Sequence, residues 1–338
     1  MRLCIIWNLH QPNSWHPRLS RYTLPWMRVQ TLRAYAPLLR IALEPGAMPV
    51  TLAVSPDLLE YLAAMRVDAQ RDALLELHRK PVSQLRPQEV EDLLSFAFEA
   101  GSARLAAPFP RYAALFQQWL DMRGNLRRMR DALAPEDLQD LQSLTQLAWL
   151  SPELQASGGP VTEAARQGQA LTHEQALELA DLQAQALRQF LNTLEETGRQ
   201  RRVEYLGGTL HQALLPVLAG EVEGFVYAED ARAHMVRGPR VHYRHFGAWP
   251  TVLHLAEGSY SNECAPLLAQ SCLEWAVASS RVLQKSLGHM PSGEGLTAPW
   301  SHRGRELRFT DAALNGRFRF VYPHLQPEAA FADFLQRA

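Results

Sequence analysis

Six short apolar runs, most of them separated by helical sequence, restrict what this chain can fold into. They cover residues 3–9, 50–54, 203–206, 252–255, 273–277 and 307–309. Each is too short to be a buried helix and has the length of a buried strand. Parallel neighbours cannot be joined by a tight hairpin, so strands that alternate with helices make a parallel sheet with crossover helices. The first run begins at residue 3, so the sheet starts with the chain. The fold class is α/β.

The helical signals are local and specific. In "SPDLLEYLAAM", Ser55 is placed to cap a helix and Pro56 to occupy its first position. Residues 173–196 predict a long helix. Thr172 and Gln175 make a capping box at its start. Leu177, Ala180, Ala184, Leu187, Leu191 and Leu194 recur at steps of three and four and line one face, and Gly198 is expected to end it. Residues 87–150 are almost entirely helical in pattern and are read as an insertion within a single domain, residues 1–338.

Composition removes several function classes. The chain has 34 basic and 35 acidic residues, so nothing in its balance suggests nucleic acid or an anionic membrane as a partner. The "RQRR" run at residues 199–202 reads as a solvated turn. Three cysteines, Cys4, Cys264 and Cys272, have no CxxC spacing, which predicts reduced thiols in a cytoplasmic protein and no zinc knuckle. Cys264 and Cys272 are expected in the core. "MRLCIIWNLHQP" is too short in its apolar part for a secretion signal, and no run reaches the ~18 apolar residues of a membrane span.

In parallel α/β folds, ligands sit at the carboxyl ends of the strands. That rule turns the strand pattern into a candidate site. His10 and Gln11 follow the first strand, Ser55 the second, and Gly207 and Gly208 the third. Glu257 follows the fourth, Ser279 the fifth and Asp311 the sixth.

Ordered segments then bring a resemblance. "WNLHQP", "YTLPWMRVQTLRAY", "VTLAVSPDLLEYL", "LQSLTQLAWLSP", "RRVEYLGG…LLPVL" and "AEGSYSNECAPLLAQSCLEWAVASSRVL" are similar, in order, to signatures of glycoside hydrolase family 57. The resemblance covers most of the chain and is nearest to the amylopullulanase-like branch. It implies an incomplete (β/α)7 barrel with a helical region, α-glucan or maltooligosaccharide as ligand, and no cofactor or metal. It also implies retaining chemistry with a Glu nucleophile and an Asp acid/base. Glu257 of "HLAEGSYS" takes the nucleophile position. The acid/base falls on Ser279, at an offset (279 − 257 = 22) that fits the family spacing. His10, Gln11, Trp26, Arg28, Glu204 and His254 occupy positions of substrate contact. Asp311 keeps the Asp of an "FRD"-like motif. Other positions depart: Asn8 replaces a His, His254 a Trp, Thr310 an Arg, and Gln212, beside His211, a His. No counterpart of the family's "LDGENAWE"-like motif occurs before the terminal "FADFLQRA".

The serine matters because retaining cleavage uses two carboxyl groups about 5–5.5 Å apart. The acid member is worth roughly 10²–10⁴ in rate, and a serine hydroxyl is far too weak an acid to supply it. Asp311, Glu294 in the "PSGEG" loop and His254 are the candidate substitutes. Two readings follow: a glucan-binding or partner-binding barrel that has lost cleavage, or an α-glucan hydrolase or transferase with a substitute acid. A third, a metal-dependent carbohydrate deacetylase, rests on the "HYRH" spacing of His242 and His245 alone, which otherwise read as surface or loop residues. An open sheet edge would suit a protein partner.

Overall fold

The computed structural model describes residues 4–99, 103–221, 224–291 and 293–337. The chain divides into two compact units. A strand-bearing unit comprises Met1–His10, Met48–Leu59 and Glu195–Ala338, and a helical unit comprises Gln11–Ala47 and Glu60–Leu194.

All six expected strands form. They are β1 (Ile6–Leu9), β2 (Thr51–Val54), β3 (Glu204–Leu206), β4 (Val252–His254), β5 (Trp275–Ser279) and, after β6 (Trp300–His302), β7 (Arg305–Thr310). Strands β1, β2 and β3 pair in parallel in that order. Strands β4, β5 and β7 also pair in parallel, with β6 antiparallel on the edge. A parallel bridge from Gly207 to Leu253 links the two sheets. The Gly207 amide donates to the Val252 carbonyl at 2.9 Å, and the His254 amide donates to the Gly207 carbonyl at 2.9 Å.

Strand β6 went unpredicted. Its hairpin turn is Arg303–Gly304, both at positive φ (49° and 79°), as a two-residue turn of matching twist requires. Arginine at the first turn position hid that signal.

The apolar runs of β2, β4 and β5 are continuous because these strands are covered on both faces. Ala53, Leu206, Val252 and Val277 pack together on one face, with Ile6 and Trp275 against them. Leu253, Leu255, Ala276, Ala278 and Leu307 face the other way. They meet Leu215, Met235, Leu267 and Leu268 from the helices Leu215–Ala219, Ala228–Phe246 and Ala265–Ala269. Each fully buried leucine contributes roughly 1.5–3 kcal/mol.

In the helical unit, the described residues between 87 and 150 form a succession of helices from Pro87–Leu94 to Pro135–Ala148. The helix His173–Arg199 carries its expected capping box: the Thr172 amide donates to Gln175 Oε1 at 2.8 Å and the Gln175 amide to Thr172 Oγ1 at 3.2 Å. Gly198 does not end that helix. It lies inside the last turn because a Cβ there would come within 2.4 Å of the Phe246 ring.

A charged network lies wholly inside this unit. Arg28 Nε donates to Asp72 at 2.9 Å, and Arg28 Nη1 donates to Gln183 Oε1 at 2.5 Å. The Tyr61 hydroxyl and the Leu75 amide also donate to Asp72, at 3.0 and 2.9 Å, and Gln183 donates on to Gln146 at 2.8 Å. Trp149, buried, lies 5.9 Å from the Arg28 guanidinium.

Candidate functional site

Strand β4 ends at His254, and the chain then turns through Ala256–Gly258. Glu257 sits there at φ 52°, ψ 19°, and Gly258 at φ 63°. A left-handed non-glycine residue costs about 1–3 kcal/mol and tends to mark a functional turn. The turn leaves the Glu257 side chain 62% exposed, where its Oε2 accepts from Arg319 Nη1 at 2.9 Å.

Gly258 packs directly on Ser279: a Cβ at 258 would lie 2.7 Å from the Ser279 amide nitrogen. The turn that carries Glu257 therefore abuts Ser279 through Gly258. Ser279 closes β5, and its hydroxyl accepts from the Arg281 amide at 3.3 Å, capping the helix Ser280–Leu287. Buried Ser280 accepts from the Ala312 amide at 3.0 Å, and the Thr310 hydroxyl donates to the Ala278 carbonyl at 3.4 Å. Asp311 follows Thr310, the register partner of Ser279. Its Oδ1 accepts from the Ala313 and Leu314 amides at 2.8 and 2.9 Å, capping the helix Ala312–Phe320. Glu294 opens the short helix Glu294–Thr297, exposed and without an ion pair among the described residues.

Two histidines accompany Glu257. His254 is pushed down to about 4 by burial, against the opposing charge of Glu257, so its ring is neutral at pH 7. Its Nδ1 is buried and makes no hydrogen bond among the described residues. His10 is likewise lowered by burial, while the carboxylates of Asp57 and then Glu257 pull it upward. His10 thus stands in the field of both acids.

Asp57 and His211 were missed by sequence reasoning as site residues. Asp57 lies in the first turn of the helix Pro56–Val67, where an acid is an ordinary helix-dipole preference, and that hid it. Ser55 does cap this helix, accepting from the Leu58 amide at 3.3 Å. The Asp57 side chain is 2% exposed and its Oδ1 lies 2.5 Å from His211 Nδ1. The hydrogen bond to Asp57 raises His211 above its ordinary value, against partial burial. Arg319, the partner of Glu257, carried no sequence signal.

Other expected contacts lie elsewhere. Gln11 belongs to the helical unit, where its amide donates to the Tyr35 hydroxyl at 3.4 Å. Trp26 packs with Phe96 and Trp149. Arg28 is fully enclosed by the network described above. Glu204 opens β3 and accepts from Thr51 at 2.9 Å. It is three residues before Gly207, so about 10 Å of strand separates it from the carboxyl end. His242 and His245 are corrected from surface to buried, on the apolar face of the helix Ala228–Phe246. His242 packs on Phe246 and is lowered to about 4 by burial, and His245 Nδ1 is paired with Glu195 at 2.9 Å. Among the described residues no group of three or more His, Cys, Asp or Glu could hold a metal. Cys264 is buried, but Cys272 is exposed rather than in the core. Among the described residues no helix is long and apolar enough to cross a membrane.

A profile of glycosyl hydrolase family 57 matches residues 4–337. Among solved structures the chain is similar to the α-amylase AmyC from Thermotoga maritima, at 16% identity and a TM-score of 0.50, covering 92% of this chain and 46% of that one. It is also similar to a branching enzyme of the same family from Thermococcus kodakaraensis, solved with glucose, at 13% identity and a TM-score of 0.51, covering 94% and 48%. The chain thus spans about half the length of these structures, and at such identity the likeness is one of fold. No curated relative matches.

Proposed function

The chain belongs to glycosyl hydrolase family 57, and on that premise we propose that it is an α-glucan-binding protein in which two-carboxylate cleavage is impaired. The six parallel strands are read as the strands of the family's incomplete (β/α)7 barrel, and the two units as parts of one domain. A cytoplasmic location goes with this reading.

The observation that carries it is the contrast between adjacent positions. Glu257 is held out on a strained left-handed turn beside His10 and His254. Ser279 next to it has no acidic proton, and its hydroxyl caps a helix. The candidate substitute Asp311 is engaged by two backbone amides of its own helix. A bound glucan would meet a nucleophile with no partner to protonate the departing sugar oxygen. We assign sugar contact to His10 and His254. Arg28 and Glu204 are assigned to scaffold because their polar atoms already serve protein partners.

What Glu257 retains is the ability to attack a donor whose leaving group needs no acid. Turnover of α-maltosyl fluoride, with Glu257→Gln as control, is therefore set beside calorimetric binding of maltoheptaose. Maltoheptaose binding with no hydrolysis is the expected result. Fluoride release that depends on Glu257 would mark a surviving half-site. Efficient maltoheptaose hydrolysis would overturn the impaired reading in favour of an active enzyme with a substitute acid, and absence of binding would overturn the glucan reading itself.

A further inference from the structure

Beyond the positions that the family resemblance supplies, the strand-bearing unit holds a second polar arrangement. After β3 the chain runs through Thr209–Ala213, where two successive non-glycine residues, His211 (φ 58°) and Gln212 (φ 48°), are left-handed. Each costs about 1–3 kcal/mol, so the surroundings must over-determine the turn. They do so with ordinary bonds. The Gln212 amide donates to the Thr209 carbonyl at 3.1 Å, and the Thr209 hydroxyl donates to the Ala213 carbonyl at 3.3 Å. His234 Nδ1 lies 2.5 Å from the Leu210 carbonyl. The product of this turn is a half-exposed imidazole, whose Nδ1 meets a carboxylate that is almost wholly buried.

An interior carboxylate is expensive unless it is paired. Asp57 faces two imidazoles that come from separate strand ends. It bonds His211, after β3, and its charge acts on His10, after β1. The other groups that face this pair are Arg237, whose charge opposes protonation of His211, the His234 ring at 5.6 Å, and Glu257, which acts on His10.

We propose that Asp57 is the positioning residue of the strand-end site, fixing the plane of His211 and a proton on its Nδ1 so that the ring and His10 together bind the hydroxyls of one glucose unit. The inference rests on the α-glucan reading. A bidentate ring held from behind by a buried carboxylate loses less rotamer entropy on binding than a free one. With Nδ1 bonded to Asp57, Nε2 of the neutral ring can only accept from a sugar hydroxyl, whereas in the protonated ring it donates a stronger, charge-assisted bond, so affinity is highest below the raised midpoint and declines as pH rises through it.

The test is calorimetric titration of maltoheptaose between pH 5.5 and 8.5 into the full chain, as wild type, Asp57→Asn, His211→Gln and the double variant. Wild-type binding is expected to step down with a midpoint above the ordinary histidine value. In Asp57→Asn, affinity at pH 6 falls roughly tenfold, a change of about 1.4 kcal/mol, and the step moves to lower pH. In His211→Gln the step disappears, and adding Asp57→Asn costs no further affinity, since the two act as a unit. A role in folding alone would lower stability and leave the pH step in place. Unchanged affinity and pH profile in Asp57→Asn, or full additivity in the double variant, overturns the inference while the glucan reading stands. If Asp57→Asn does not fold, a step that persists in His211→Gln overturns it equally. Failure of the wild type to bind maltoheptaose at any pH overturns both.

Discussion

Two regions of this molecule use the same chemical groups to opposite ends. In the helical unit, Arg28 and Asp72 pair at 2.9 Å with side chains 0% and 1% exposed, and their further bonds go to Tyr61, Leu75 and Gln183. At the strand ends, Glu257 and Arg319 pair at the same 2.9 Å with side chains 62% and 63% exposed. The first pair is enclosed and saturated, so it can do nothing but hold helices. The second is held on a strained turn in water, where its bond is weak and exchangeable. Arginine, aspartate and glutamate do not announce their tasks; burial and saturation decide them.

The largest effect should come from breaking the enclosed pair. Arg28→Met leaves a buried carboxylate without its partner and is expected to cost about 3–5 kcal/mol. Glu257→Gln should change stability by no more than about 0.5 kcal/mol. Urea unfolding of the two variants checks both. Similar losses would erase the distinction drawn here. Arg28→Met combined with Asp72→Leu should recover part of the loss, because no buried charge is then left uncompensated, but only part, because the Tyr61 hydroxyl, the Leu75 amide and Gln183 Oε1 each lose a partner.

Protonation tests both regions next. His78 in the helical unit is fully buried, and both its ring nitrogens lack a hydrogen bond among the described residues. Burial, and then the charge of Arg28, push it well below the ordinary value. It is neutral when folded, whereas the unfolded chain binds a proton below pH ~6.5. Stability is therefore lost as pH falls below that point, by up to about 1.4 kcal/mol per pH unit. His242 and His254, lowered to about 4, share this sign. His211 is raised, so its contribution is present at low pH and lost as pH rises through its midpoint. Unfolding midpoints between pH 5 and 8 should give a shallower acid limb in His78→Leu and a flatter alkaline limb in His211→Gln. An unchanged acid limb in His78→Leu would break the claim that this buried ring makes the helical core acid-sensitive.

A smaller effect tests strain. Glu257→Gly removes the left-handed penalty of about 1–3 kcal/mol but adds unfolded-state entropy worth about 0.4–1 kcal/mol. The net expectation is a gain of between zero and about 2.5 kcal/mol, together with loss of any fluoride turnover. Thermal unfolding reads the first and fluoride release the second. A destabilised variant would mean that the turn is not strained.

How much of this was legible beforehand depends on range. The strands were readable because burial on both faces leaves short apolar runs, and the long helix because its capping box and leucine face are local. Glu257 was readable from "AEGSYS" at a strand end. The Asp57–His211 pair was not, because 154 residues separate its members and each has a bland local explanation. Arg28 was misread toward the ligand because its motif says nothing about enclosure, which Asp72 and Gln183 create from 44 and 155 residues away. Asp311 was expected after the sixth strand, and it follows Thr310, the register partner of Ser279, but its capping bonds depend on a helix start that the sequence left unmarked.

The smallest expected effect is the most diagnostic. Ser279→Asp restores, on paper, the carboxylate that retaining chemistry needs. Aspartate is as good a helix cap as serine, so stability should hold within about 0.5 kcal/mol. For the same reason the new carboxylate should take over the cap, accepting from the Arg281 amide as Ser279 does. Gly258 presses on residue 279 from the Glu257 turn, which leaves the side chain little room to leave that cap. Hydrolysis of maltoheptaose by Ser279→Asp should therefore stay within a few-fold of wild type, while maltoheptaose binding is retained. Strong hydrolysis by this one variant would show that the strand-end site lacks only an acid and that the capping role of residue 279 yields to catalysis. It would also move Glu257 from an inherited position to a working nucleophile.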